Sequence, residues 1–519
     1  MSDQPQWPRL SWLTFSVYVL AFSGWVNPAW ADPLSWVTQD HQGHLLYQTD
    51  NRGNRIPDFS HAGYGGGGIA LPDVPTQKRV NPSGEDDTSA IQAALDEVAA
   101  LPLKERFRGA VLLSSGTFHC AKTLTLSQSG VVLRGSGSGE NGTIIEMTGP
   151  PHLCLQILGH EMKPPVLDPA KGLEILDSYV PVGTQDVTVK DTSGLKKGDR
   201  MIIERKLTSE WIHSLGMDTL VRDGKPQTWI KPDQVVTYER TIESIKGRQI
   251  HFDLPMPDVI DARLMSPETL KVFKVNPEEP HLSQCGIESL QIHSPPPAGI
   301  LTAPNHHAIL LNNCEDCWIR DVTMNDVLTN VQVLEGSRRI TIENVNAFHS
   351  ATVVGGKGAS ADFMLRGSQV LLDRSSSTGH GSFFVATAET GSVLNVVLNC
   401  HFYGVGGIQP HMRWSTTLLA DNCQLPQGKI AYHNRGFAGS GQGWAIAWGV
   451  VWNCTASLYK IASPPGALNW CIGCQGGLDK KLGLTEGYVS FGKPVLPQSL
   501  YLAQLRDRLG DQALKNMGY

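Results

Sequence analysis

Short runs in which apolar and polar residues alternate fill most of this chain, and one five-residue pattern returns at intervals far longer than a helix period. In segments 286–290, 318–322, 341–345 and 396–400 an apolar residue stands three places before the last, a polar residue stands next to last, and an apolar residue closes the run. The register continues through Asn422-Cys423, Asn453-Cys454 and Gly473-Cys474. Steps between Val322, Val345, Ser375, Cys400, Cys423, Cys454 and Cys474 are 23, 30, 25, 23, 31 and 20 residues. Alternation predicts strands, and irregular steps of this size fit coils whose strands stay in register while their loops vary. A leucine-rich repeat would keep a stricter period, and a propeller blade needs about 40 residues or more. The expected fold is all-β, a right-handed parallel β-helix solenoid. Asn before an inward residue suits a left-handed bend and can bond to the Asn above it, and the small Cys that follows fills the interior.

Elements outside the repeat complete the plan. Asp87-Thr88-Ser89 offers N-cap oxygens to a helix from about Ala90 to Ala100, with Ile91, Leu95 and Val98 as its apolar stripe, expected to close the open end. Residues 172–262 break the pattern and read as a small inserted antiparallel β subdomain, whose Trp211, Trp229 and Tyr238 offer either a sugar-stacking wall or ordinary packing. The domains expected are 1–31 leader, 32–171 wrap, cap helix and first coils, 172–262 insertion, 263–480 main solenoid, and 481–519 tail. An amphipathic helix within the tail, from Gln498 to Leu514, is expected to cover the last coil.

Arg9, the apolar run from Trp12 to Val26 and Ala29-Trp30-Ala31 resemble a signal peptide cleaved after Ala31, so a secreted or periplasmic protein is expected. Its removal takes one charge of each sign and leaves the net charge at −6. That sign argues against a nucleic-acid partner and makes local arginine clusters more telling. No later stretch is apolar enough to span a membrane, and the sequence is silent on oligomeric state. Ten Cys permit disulfides in an oxidising compartment, with no connectivity derivable. Cys314-x-x-Cys317 and Cys471-x-x-Cys474 have zinc-like spacing, but buried thiols or a local bridge suit them better, and no metal ligand is assigned.

Chemistry enters with His411 and Arg413, which recur as His433 and Arg435, each 22 residues later, about one coil. On equivalent strands imidazole would lie over imidazole and guanidinium over guanidinium. Stacked cations repel unless an anion bridges them, so the doubled rung predicts a polyanion site. His380, 31 residues before His411, is a third imidazole candidate. Asn434 and Trp444 are expected to bind substrate, Trp444 as a stacking platform in a glycine-rich loop, while Trp414 alternates towards the core.

Asp86-Asp87-Thr88-Ser89-Ala90-Ile91-Gln92-Ala93-Ala94, the Gly116-Thr117-Phe118 turn and the Val131 to Gly135 strand resemble the N-terminal cap of the pectate-lyase-like superfamily. The segments Pro410 to Thr416, His433 to Gly436, Gly439 to Ala445 and Trp452 to Cys454 resemble a bacterial secreted subgroup of it. The resemblance implies cleavage of a polysaccharide in a groove along one face. No aspartate cluster of the kind that holds Ca²⁺ in calcium-dependent members lies beside the rungs, so Ca²⁺ stays open. Gly379-His380-Gly381 matches a polygalacturonase motif, but where those enzymes carry an Asp pair the preceding coil offers only the single Asp362.

β-Elimination from a uronate needs the carboxylate neutralised, a base for the α-proton and an acid for the leaving oxygen. Arg413 and Arg435 suit the first role, neutral His411 or His433 the second, and Tyr432 is a donor candidate although it alternates away. The expectation is a lyase acting on an acidic polysaccharide. A polygalacturonase-like hydrolase, a non-catalytic adhesin and a uronate epimerase are the alternatives.

Overall fold

The structure, a computed structural model, describes residues 35–161, 167–265, 270–275, 281–351, 353–354, 361–379 and 383–519. Its main feature is a 27-stranded system of parallel strands wound as a β-helix. Gly286–His293 lies on Cys314–Asn325, which lies on Arg338–Phe348, with Leu290 opposite Val322 and Val322 opposite Val345. Further along, Asn346 faces Ser376, Ser376 faces His401, His401 faces Gln424, Gln424 faces Thr455 and Thr455 faces Gln475. The positions read from the sequence as a repeat, Ser375, Cys400, Cys423, Cys454 and Cys474, therefore stand one above another, and every one of these Cys is fully buried.

The bend residue before each is left-handed. Ser289, Asp321, Asn344, Arg374, Asn399, Asn422 and Asn453 have φ between 44° and 58°. All but Arg374 are short polar side chains that tolerate the conformation by bonding locally, as where Asn422 donates to Asn399 Oδ1 at 2.7 Å and Asn344 to Asp321 Oδ1 at 2.6 Å. A second left-handed column, Gln284, Asp316, Arg339, Gln369, Leu394, Thr417 and Trp448, turns the chain at the next corner. All ten Cys are free and buried, and Cys423 and Cys454 donate to the carbonyls of Val397 and Ala420. The two Cys-x-x-Cys pairs are thus lumen thiols.

The helix Thr88–Ala99 packs Ile91, Leu95 and Val98 into the same core as the first coils. Asp87 occupies its cap position, but its carboxylate accepts from the backbone N–H of Ser83 and His119 instead of from the helix. The insertion is a six-stranded antiparallel sheet that takes in Lys271–Val275 as well as strands between 173 and 252, so its pairing runs past residue 262. Coil stacking continues across it, because Gly286–His293 pairs directly with Val131–Arg134 and Thr143–Met147.

Trp211 and Trp229 stack at 5.4 Å, and both pack edge-on against Trp414. With Tyr238 they are buried, so these rings form the seam between insertion and solenoid and not a sugar wall. Arg205 and Asp258 form a fully buried ion pair within that seam, and the indoles of Trp414 and Trp448 donate to the same carboxylate.

The tail forms two short helices, Leu500–Leu509 and Asp511–Asn516, broken at Gly510. They lie along the flank of the coils and do not cover the last one. Asp421 accepts from Ser499 Oγ and Tyr501 N, and Asp373 accepts from Tyr519. Phe491, packed on Tyr459 and Tyr488, sits against the final coil instead. Among the described residues no helix is long and apolar enough to cross a membrane.

Candidate functional site

The strand Gly407–Ile408 pairs with Lys429 and Ile430, an offset that sets His411 and His433 on adjacent coils. Beyond His433 the chain leaves the coil as a hairpin, in which Asn434 bridges Trp444 and Arg435 N donates to Gly443 O. The returning strand, not the outgoing one, sits on the Arg413 coil, since Arg413 N donates to Gln442 O and Trp414 N to Trp444 O. Arg413 and Arg435 therefore flank the returning strand on opposite sides, roughly two strand spacings or about 10 Å apart, and do not stack directly. Alternation along an unbroken coil would have stacked them, and the hairpin breaks it.

Gln442 ties the group together. Its Oε1 accepts from Arg435 Nε at 2.6 Å, which turns its amide nitrogen towards His411 Nε2 at 2.7 Å. His411 Nε2 is then an acceptor and the ring is neutral. Burial, reinforced by Arg435, Arg366 and Arg413, pulls the His411 pKa down to about 4. His433 Nδ1 donates to Asn434 O at 2.7 Å, leaving Nε2 as its basic nitrogen, and burial together with Lys460 lowers this imidazole to about 4 as well. Phe383 packs on His411 and lies under the Arg435 guanidinium at 5.2 Å.

Arg413 donates to Ser440 Oγ at 2.9 Å, and its Nε is buried with no partner. Among the described residues neither Arg413 nor Arg435 meets a carboxylate. Arg366 differs, since one of its nitrogens lies 2.8 Å from both Glu335 and Glu389. The two carboxyls also act on each other: Glu389 raises the pKa of Glu335, while Glu335 and the Arg366 guanidinium lower that of Glu389. Both acids are already paired with this guanidinium, and among the described residues no group of His, Cys, Asp and Glu suits a metal ion such as Ca²⁺. Glu335 escapes a sequence reading because it lies two coils away from Glu389.

Other candidates take different places. His380 lies outside the described residues. Tyr432 is fully buried in the lumen with its hydroxyl unpartnered, so it cannot serve as the proton donor. Asn434 closes the hairpin turn by accepting from Gly436 N. Trp444 is half-buried against the insertion, where its carbonyl accepts from Trp229 Nε1 at 3.2 Å. The exposed ring of this hairpin is Phe437, at 61%. Asp362 is bonded to His349 and Ser377 at the far end of its strand from Arg366, and two further acids of these coils, Asp373 and Asp421, hold the tail.

No family model and no curated protein sequence matches the chain. Solved structures resemble it at low identity. The Gp54 tailspike of Acinetobacter baumannii bacteriophage AP22, in complex with a capsular saccharide, is 12% identical over 79% of this chain and 71% of its own, with a TM-score of 0.28. Geobacillus virus E2 ORF18 is 13% identical over 80% and 60%, at 0.39. The A-module of the Azotobacter vinelandii mannuronan C-5 epimerase AlgE4 is 10% identical over 80% and 97%, at 0.29. At this distance the likenesses carry nothing about ligand or reaction.

Proposed function

We propose that this protein acts outside the cytoplasm as a polysaccharide lyase on an acidic, uronate-containing glycan. One observation carries the reading: two arginines that meet no carboxylate among the described residues stand beside two imidazoles held neutral. Such cations are incomplete without an anion, and a neutral imidazole is a base.

In this reading Arg413 and Arg435 draw charge from the uronate carboxylate, which acidifies the α-proton. His433 Nε2 removes that proton; the C–H electrons form the new carbon–carbon double bond as the glycosidic C–O bond breaks. Glu335, the carboxyl of the Arg366 pair whose pKa is raised, is the acid that gives its proton to the departing oxygen. His411, capped by Gln442, positions Arg435 and does not take the proton itself.

Incubation with alginate, polygalacturonate and neutral glucans tests this. Elimination leaves an unsaturated uronate that absorbs in the ultraviolet. New reducing ends without absorbance would replace the lyase with a hydrolase, and binding without cleavage would make the protein an adhesin. Binding of neutral glucans alone would remove the anion premise.

A further inference from the structure

At the other end of the same strands the surface opens into a trough of about 550 Å³ lined by His349, Ala351, Thr378, Tyr403, Val405 and Gln427. Two glycines on successive coils keep its floor bare. Gly404 has φ 111°, and a Cβ there would lie 1.8 Å from the Gly379 carbonyl oxygen. Tyr403 and Val405 stand 47% and 64% exposed beside it and give the trough an apolar wall.

The titratable group of the described lining is His349, whose side chain is 1% exposed. Its Nε2 is bonded to Asp362 at 2.9 Å, and Asp362 in turn accepts from Ser377 Oγ at 2.5 Å. Nδ1 is buried and has no partner among the described residues. Burial opposes a charge on this ring, but Asp362 outweighs it and raises the pKa, which favours the charged ring with an N–H at Nδ1. An orphaned buried donor backed by a carboxylate is costly unless a ligand completes it.

We infer that the trough is a saccharide subsite for an acetylated sugar, with His349 Nδ1 donating to the acetyl carbonyl oxygen, Ala351 and Val405 covering its methyl, and Tyr403 stacking on the ring. An acetyl group presents an acceptor oxygen beside a methyl, which is the pairing this wall offers. The trough is distinct from the arginine site: Asp362 and Arg366 bound the strand Phe363–Leu365 at its two ends, roughly 13 Å apart at about 3.3 Å per residue. A single glycan chain can span both.

Calorimetric titration with oligomers of N-acetylglucosamine and N-acetylgalactosamine, and with acetylated alginate, each against its deacetylated form, tests the subsite. The acetylated ligand is expected to bind at least tenfold more tightly, and Tyr403→Ala and His349→Gln are expected to remove that preference. Tyr403 is exposed, so its truncation leaves the fold intact even if His349→Gln does not. Arg435→Ala should leave the preference unchanged while weakening deacetylated alginate, so failure of the lyase reading and failure of the subsite give different results. Equal binding of both forms, no binding of either, or a preference that survives Tyr403→Ala overturns the inference.

Discussion

Arg435 influences everything around it. It neutralises the proposed substrate, orients Gln442, and is the largest charge holding the His411 pKa low. Arg435→Ala should therefore cost about 10- to 100-fold in kcat/KM on an anionic glycan, the equivalent of a charge-assisted hydrogen bond of about 1.5–3 kcal/mol. The same variant should move the His411 titration, followed by NMR, upward from about 4 towards the ordinary imidazole value. If the His411 titration stays in place, Arg435 is not its main electrostatic neighbour. The pH profile carries a second expectation. Both imidazoles are neutral above about 4, so the acid limb of kcat/KM should fall near pH 4 to 5 and not at 6.5. An acid limb at 6.5 would exclude both as the base in the state seen here.

At the scale of elements, the Asn ladder bears the strand corners. Asn422→Ala loses the bond to Asn399 and the polar side chain that lets Asn tolerate a left-handed backbone, for an expected cost of about 2 kcal/mol; Asn422→Gly should cost about half, because glycine accepts φ of 53°. Urea denaturation separates the two. That column was legible in the sequence because one chemistry, a polar side chain before an inward residue, recurs from step to step, with Asn before Cys at three of them. The other left-handed column was not, because Gln284, Leu394 and Trp448 share no side-chain property and only the backbone repeats. The site was legible in its parts and not in its arrangement. The 22-residue spacing correctly placed the imidazoles on adjacent coils, but the hairpin after His433 moved Arg435 outward. The clamp on that hairpin comes from the insertion, through Trp229 on Trp444 and Arg222 on Gly439. Contacts between segments some 200 residues apart leave no local pattern.

For the whole molecule, the flank on which the tail docks sets a pH dependence of stability. Burial raises Asp373 and Asp421 to about 7 in the folded chain, above the ordinary carboxyl value of 3.8. The folded state then binds more protons than the unfolded one between those values, so stability falls as pH rises from about 4 to 7 and stays lowered above. The imidazoles act in the opposite sense: lowered to about 4, they withdraw stability as pH falls from 6.5 towards 4. Asp421→Asn should flatten the alkaline decline in Tm between pH 5 and 8, and an unchanged decline would mean that this carboxyl is ionised throughout. The interior offers a chemical clock besides. Ten thiols lie sealed in the lumen and ten become reachable when it opens, so the rate at which an alkylating reagent consumes them measures opening of the coils directly. Mass mapping of the modified positions would then show whether the coil of Cys120 or that of Cys474 yields first.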